Sequence, residues 1–319
     1  MNTDLVVSLI VSAIVYGTPL VLAGLGELLA ERSGVLNLGV EGMMLMGAVT
    51  GFYASQQLGG PGWIVLIVAM VVAALAGGSM ALIHAFLSIT VRVNQIVSGL
   101  ALTIFAGVIG LSTYAGQVWN IGGQHGLHQL NRVDLLGLGE VPIIGPILFD
   151  QDPFVYLSWG LVILVTWYLY RTRTGLYLRA VGEAPRSADA MGVNVTKYRY
   201  VHTIVGGALA GLGGAYFTLA IAPIWTAGLT AGVGWIAIAL VIFAFWRPDV
   251  LVLGAYLFGA LSSLGFTLQA YGVQMPSEIF SSLPYLMTIV VLAGASTTMA
   301  RRRIGTPAAL GVPYVREEG

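Results

Sequence analysis

The chain has 319 residues, of which 57% are hydrophobic and only 9% charged, with a formal net charge of zero and a mean hydropathy of +0.87. A water-soluble surface needs far more charge than this, so the solvent is lipid, and the neutral balance argues against a nucleic-acid partner. No cysteine is present, which excludes a disulfide framework, thiolate catalysis and cysteine-held metal.

Charges punctuate the chain, and a span needs about 20 apolar residues between them. The N-terminus carries no basic residue ahead of its first apolar run, so that run is expected to be retained as a span, not cleaved as a leader. Asp4 and Glu27 bracket it. Residues 35–56 form a second span containing the lone Glu41, and Gly59, Gly60 and Pro61 mark a turn after it. Residues 63–91 are a third, long enough to tilt or break, and 96–115 a fourth. Residues 116–152 are the longest polar stretch, 153–170 a fifth span, and 171–199 a positively charged loop. Residues 200–246 carry no Asp, Glu, Lys or Arg; they have room for two spans, turning near Pro223. Residues 250–271 and 283–300 complete nine. On that count every Lys and Arg except Arg132 falls on one side. The positive-inside bias then puts the N-terminus outside and the C-terminus in the cytoplasm. The fold class expected is all-α: a polytopic helix bundle of about nine spans. It forms one membrane domain, residues 1–303, with a short cytoplasmic tail, 304–319.

Glu41 is the ionisable residue inside a predicted span. Placing such a group at mid-bilayer costs about 2.5–3.5 kcal/mol on insertion scales. It lies six residues after Val35, roughly 9 Å in at the helical rise, and shares a face with Asn37. A structural contact between helices and a place on the substrate path are both open readings. His84, eight residues before Arg92, is at matching depth and is a candidate partner for Glu41. Asn94, Gln95 and Ser98 open the fourth span; they line a cavity or satisfy backbone at a break. Trp235 sits deep enough to stack on a base or sugar, or to fill the core. Trp119, Trp159, Trp225 and Trp246 fall near predicted interfaces, where aromatic belting is the default. His125 and His128 have helical metal-ligand spacing without a third ligand, so no metal is expected. Gly207 and Gly211 form a small-xxx-small pair suited to close helix packing. There is no phosphate-binding G-x-x-x-x-G-K-[ST], no H-E-x-x-H and no G-x-S-x-G, so no chemistry or cofactor is expected of this chain itself.

In the loop 171–199, Pro185 suits a first helical turn and Gly192 the position just past a helix end. Between them lies a short helix, roughly 184–191. It is too short to stand alone, so it needs a partner surface; the alternative is an ordinary solvated loop. The run G-E-A-P-R-S-A-D-A-M-G-V-N-V resembles the coupling-helix loop of ATP-binding-cassette importer permeases, in the branch for simple sugars, nucleosides and branched-chain amino acids. R-S-G-V-L-N-L-G-V-E-G-M-M-L-M-G-A, V-N-Q-I-V-S-G-L-A-L-T and G-G-A-L-A-G-L-G-G-A-Y resemble, in order, three further segments of that branch. The form N-x-G-x-E-G is similar to the nucleoside subgroup.

The resemblance implies a permease that binds no cofactor and translocates a nucleoside or simple sugar by alternating access across the cytoplasmic membrane. ATP would be hydrolysed by a partner subunit docked on Glu183, Ala184, Pro185, Arg186, Ala188, Asp189, Met191 and Gly192. A second permease, identical or homologous, and an external substrate-binding lipoprotein would complete the assembly within the lipid bilayer. Asn37, Glu41, Asn94, Gln95, Ser98 and Trp235 are the candidates for the substrate path. The rival readings are an ion-coupled secondary transporter of a small polar solute, which requires several buried carboxylates, and a branched-chain amino acid importer permease.

Overall fold

The computed structural model describes residues 3–107, 109–270, 272, 276–295 and 305–315. Helix α1 runs over Thr3–Arg32, α2 over Val40–Gln57 and α3 over Gly62–Ala85, which closes in a π-turn at Phe86–Thr90. Helices α4 (Gln95–Ala106) and α5 (Leu111–Val118) are separated by a break at Gly107. Two-residue strands β1 (Val133–Asp134) and β2 (Asp150–Gln151) pair antiparallel in the long polar stretch, a small departure from an all-helical layout. Then follow α6 (Pro153–Arg171), α7 (Arg173–Glu183), α8 (Pro185–Ala190) and α9 (Val195–Tyr216). The chain ends with α10 (Val233–Phe243), α11 (Pro248–Ala270) and α12 (Ser277–Ala295).

Among the described residues, six helical stretches are long and apolar enough to cross a membrane: those containing α1, α3, α4–α5, α6, α9 and α11. Helix α2 carries Glu41 and two glutamines, and α10 is only 11 residues long, so neither meets that standard alone. Several boundaries move, two of them next to the site. The first span continues past Glu27 to Arg32, burying both Glu27 and Glu31, so Glu27 is not a boundary charge. The second helix starts at Val40, not Val35, because residues 33–39 are irregular; Glu41 therefore lies in the first turn of α2.

Glycine decides how these helices meet. Lipid gives no hydrophobic drive for helix association, so close backbone approach and dispersion must supply it. A Cβ added to Gly26 would lie 2.3 Å from the Gly206 carbonyl oxygen, one on Gly47 2.1 Å from that of Gly211, and one on Gly77 2.2 Å from that of Gly207. Helix α9 is thus the hub on which α1, α2 and α3 converge, and Gly207 and Gly211 are spent on that packing. Among the tryptophans, Trp225 and Trp246 are buried in the core, contrary to the belt expectation, whereas Trp63 and Trp167 are exposed on the apolar outer surface.

Candidate functional site

The irregular segment 33–39 between α1 and α2 is the structural centre of the site. Backbone released from a helix and buried in the protein must find partners there, and buried side chains supply them. Gln95 Oε1 accepts the Leu36 N–H at 2.7 Å, and Glu27 Oε1 accepts that of Asn37 at 3.0 Å. His84 Nε2 donates to the Leu36 carbonyl at 3.0 Å, and its Nδ1 lies 3.1 Å from the Ser98 hydroxyl. Thr103 donates to the Leu38 carbonyl at 2.9 Å, and Asn37 Oδ1 accepts the Gly39 N–H at 3.0 Å. Asn37, Gln95 and Ser98 are thereby brought together with His84 and Glu27, all buried. Asn94 stands apart as the N-cap of α4, accepting the Ile96 and Val97 N–H groups.

Glu41 has other partners than His84. Its Oε1 accepts the Thr230 hydroxyl at 2.6 Å and the Gly232 N–H at 2.9 Å, and its Oε2 accepts the Gly234 N–H at 2.7 Å. Gly232 is the N-cap of α10, with φ +83 and no side chain to cap with. Helix α2 therefore caps α10 in trans, with a carboxylate at the positive end of a helix dipole. The carboxylate is only 7% exposed. The proposed Glu41–His84 pair is not formed, because the two face different elements. Beside this junction Trp235 is 38% exposed, and Tyr285, 46% exposed, donates its hydroxyl to the Ala231 carbonyl.

The sequence reading missed a second junction. Glu31 Oε2 accepts the Trp246 indole N–H at 2.5 Å, while Arg32 Nη2 donates to the Trp246 carbonyl at 2.9 Å. They pin Phe245 and Trp246 in the left-handed region, at φ 53 and 54, a conformation that costs about 1–2 kcal/mol per residue for side chains with a Cβ. The spacing of Glu27 and Glu31, one helical turn apart in an apolar run, was the available signal. With Glu41 and Asp152, the buried carboxylates number four among the described residues, each engaged by a specific donor.

Much of the stretch read as loop 171–199 is helical, α7 filling 173–183, while α8 forms where Pro185 and Gly192 mark it. Helix α8 starts with Pro185 at its first position, ends at Ala190 with Met191 as its C-cap, and is stopped by Gly192 at φ +84. Ala188 is a correction. It is buried against Val181, Val193 and Val195, so it anchors α8 to its own chain instead of admitting a partner. Glu183, Ala184, Arg186 and Gly192 are exposed, Pro185 and Asp189 partly so, and Met191 is 84% exposed. The tail holds α7 and packs Tyr314 against the Ala188 cluster: Ala309 N–H donates to the Gly182 carbonyl of α7 at 2.9 Å and Gly311 N–H to that of Gly34 at 3.2 Å. Buried Arg199 donates through Nη1 to the Val312 carbonyl at 3.0 Å. The tail thus ties the α8 loop to the irregular segment 33–39. On the opposite end, Asp152 caps α6 and accepts the Tyr216 hydroxyl at 2.5 Å; burial raises its carboxyl above the ordinary range. His125 and His128 lie in non-helical chain, where their spacing does not place them on one face.

Comparison with known proteins agrees with this architecture. TsgC13 of Haloferax volcanii, described as a glucose ABC transporter permease protein, is 41% identical, covering 94% of this chain and 95% of its own. The guanosine ABC transporter permease protein NupQ of Bacillus subtilis is 34% identical, covering 99% of both chains. The nucleoside ABC transporter permease protein NupC of Lactococcus lactis is 32% identical over 97% of both. A metal-chelate-type ABC transporter solved in an inward-facing conformation shares the fold at a TM-score of 0.50 and 14% identity, over 90% of this chain and 85% of that one. The profile of a family described as "Branched-chain amino acid transport system / permease component" matches residues 9–292. The chain is a multi-pass membrane protein and belongs to this family of ABC transporter permeases.

Proposed function

We propose that this chain translocates a nucleoside or a simple sugar across the cytoplasmic membrane as the permease of an importer, with ATP hydrolysed by a partner docked on α8. The observation that carries the reading is α8 itself: a six-residue helix with Met191 84% exposed, held by the Ala188 cluster and by the tail. A helix too short to be stable alone transmits force only if it is fixed at its base. The cleft beside it, lined by Asp189, Gly192, Asn194, Lys197 and Tyr314, fits a protein partner. Counting α2, α10 and α12 as spans would give nine, and the basic-residue bias then supports an N-terminus outside and α8 in the cytoplasm. Exposed Trp235 and Tyr285 beside the Glu41 junction are suited to stacking on a base or sugar ring. A second permease and an external binding protein complete this arrangement.

The test is ATP-driven uptake in vesicles containing the full assembly, with guanosine and glucose as competing labelled substrates. Met191→Asp should leave insertion normal and release the ATPase. Uptake of neither solute, or uptake that an uncoupler abolishes while ATP is maintained, would defeat the proposal. The latter outcome would favour ion coupling, which the buried Glu27 and Glu31 would then serve.

A further inference from the structure

A groove of about 350 Å³ opens on the outer surface between α6 and α9, floored by Leu29 of α1. Its walls are apolar: Leu161, Leu164 and Trp167 from α6, Val205 and Leu209 from α9. Trp167 is 55% exposed and Leu164 54%, so the groove faces whatever surrounds the bundle. At one end it is closed by a polar bridge, the Tyr168 hydroxyl lying 2.8 Å from His202 Nε2.

The charges beyond that bridge are in helical register with the walls. Arg171 lies four residues after Trp167 on α6, and Lys197 lies four residues before Val201, a groove residue of α9. Residues at that spacing share a helix face, about 6 Å apart along the axis. Both cations are exposed, Lys197 also bordering the cleft beside α8, and neither is in an ion pair or side-chain hydrogen bond among the described residues. An apolar slot for a chain, a polar divide, then two free cations is the order of chemistry along one phospholipid.

We propose that this groove binds an anionic phospholipid of the cytoplasmic leaflet, with an acyl chain along Leu164, Trp167 and Val205 and the phosphate between Arg171 and Lys197. Guanidinium engages phosphate oxygens in a bidentate fork, and cytoplasmic leaflets carry the anionic lipids that basic clusters between helices attract. The occupant rests on the orientation proposed above but not on the substrate or the coupling reading.

Trp167 is the reporter. The complete transporter is reconstituted in vesicles of phosphatidylcholine doped with brominated phosphatidylglycerol or brominated phosphatidylcholine. Fluorescence quenching is taken as the difference from Trp167→Phe. Wild type should be quenched by the anionic lipid at a mole fraction lower by about five-fold for each cation, the Boltzmann factor for one basic residue at an anionic surface. In Arg171→Gln/Lys197→Gln the two lipids should quench alike. Val205→Phe should fill the slot and weaken quenching by both while the cations stay. Soluble glycerophosphate at matching concentration should leave the wild-type preference intact. Equal quenching in wild type, a preference that survives loss of both cations, or displacement by glycerophosphate would overturn the proposal. So would a Trp167 that neither lipid quenches, since a protein partner would then cover this face. Cysteine labelling of Asn2 and Leu310 separates a wrong orientation from a wrong site.

Discussion

Glu41→Gln tests the trans-cap of α10. The carboxylate accepts three hydrogen bonds, two from backbone N–H groups on opposite oxygens. Glutamine keeps one acceptor oxygen and replaces the other with an NH₂ donor. If its oxygen keeps Gly232, the NH₂ meets the Gly234 N–H; if it keeps Gly234, the NH₂ meets that of Gly232. Either orientation leaves one buried amide facing a donor, at about 1–3 kcal/mol. Losing the charge at the helix N-terminus adds about 0.3–1 kcal/mol. The expected loss is therefore about 1.3–4 kcal/mol. Glu41→Leu strands all three donors and should cost more, at about 3–9 kcal/mol if each is left unsatisfied. The assay is thermal unfolding of the purified protein in detergent, alongside uptake in vesicles. Hydrogen exchange should rise at the start of α10 before it rises elsewhere. Unchanged stability in both variants would refute the capping argument. A stable Glu41→Gln that nonetheless fails to transport would assign the carboxylate to substrate instead.

Four further outcomes follow from the same geometry. Gly47→Leu places atoms within 2.1 Å of the Gly211 carbonyl oxygen; it should force α2 off α9 and lower the yield of folded protein, whereas Gly59→Leu, which meets nothing within 4 Å, should not. Truncation before Gly305 removes the bonds to Gly182, Gly34 and Arg199, each worth about 0.5–1.5 kcal/mol; amide exchange across α7 and α8 should speed up and ATP hydrolysis should lose its link to uptake, and unchanged exchange would count against the tail as a tie. Gly192→Val strains a left-handed position without a clash, so it should reduce co-purification of the ATPase while leaving span insertion intact. Asp152 gives a pH dependence whose sign is fixed by burial. Its folded value is raised, so its contribution is present below the unfolded value of about 3.9 and is lost as pH climbs through the folded one. Unfolding temperatures measured from about pH 4 to 7 should fall more steeply for wild type than for Asp152→Asn, and parallel curves would show that Asp152 does not titrate in the folded protein.

The sequence alone determined what depends on local chemistry. Apolar runs marked the helices, Pro185 and Gly192 delimited α8, and the motifs around Glu41 and the α8 loop pointed to the permease family. Tertiary structure decided the partners. Glu41 meets Gly232 and Gly234 some 190 residues away, Glu31 meets Trp246 across 215 positions, and the tail reaches Gly34 and Gly182. In a soluble helix, periodicity shows which face is buried. Here lipid-facing and protein-facing residues are equally apolar, so the pattern carries little information about which helices touch. Ala188 shows the limit on a small scale: its size suited a docking surface, but only the fold of the loop turns it toward Val181 and Val193. Glu27 shows it on a larger one. A charge in an apolar run reads as a boundary until the irregular segment beside it presents a backbone N–H that needs an acceptor.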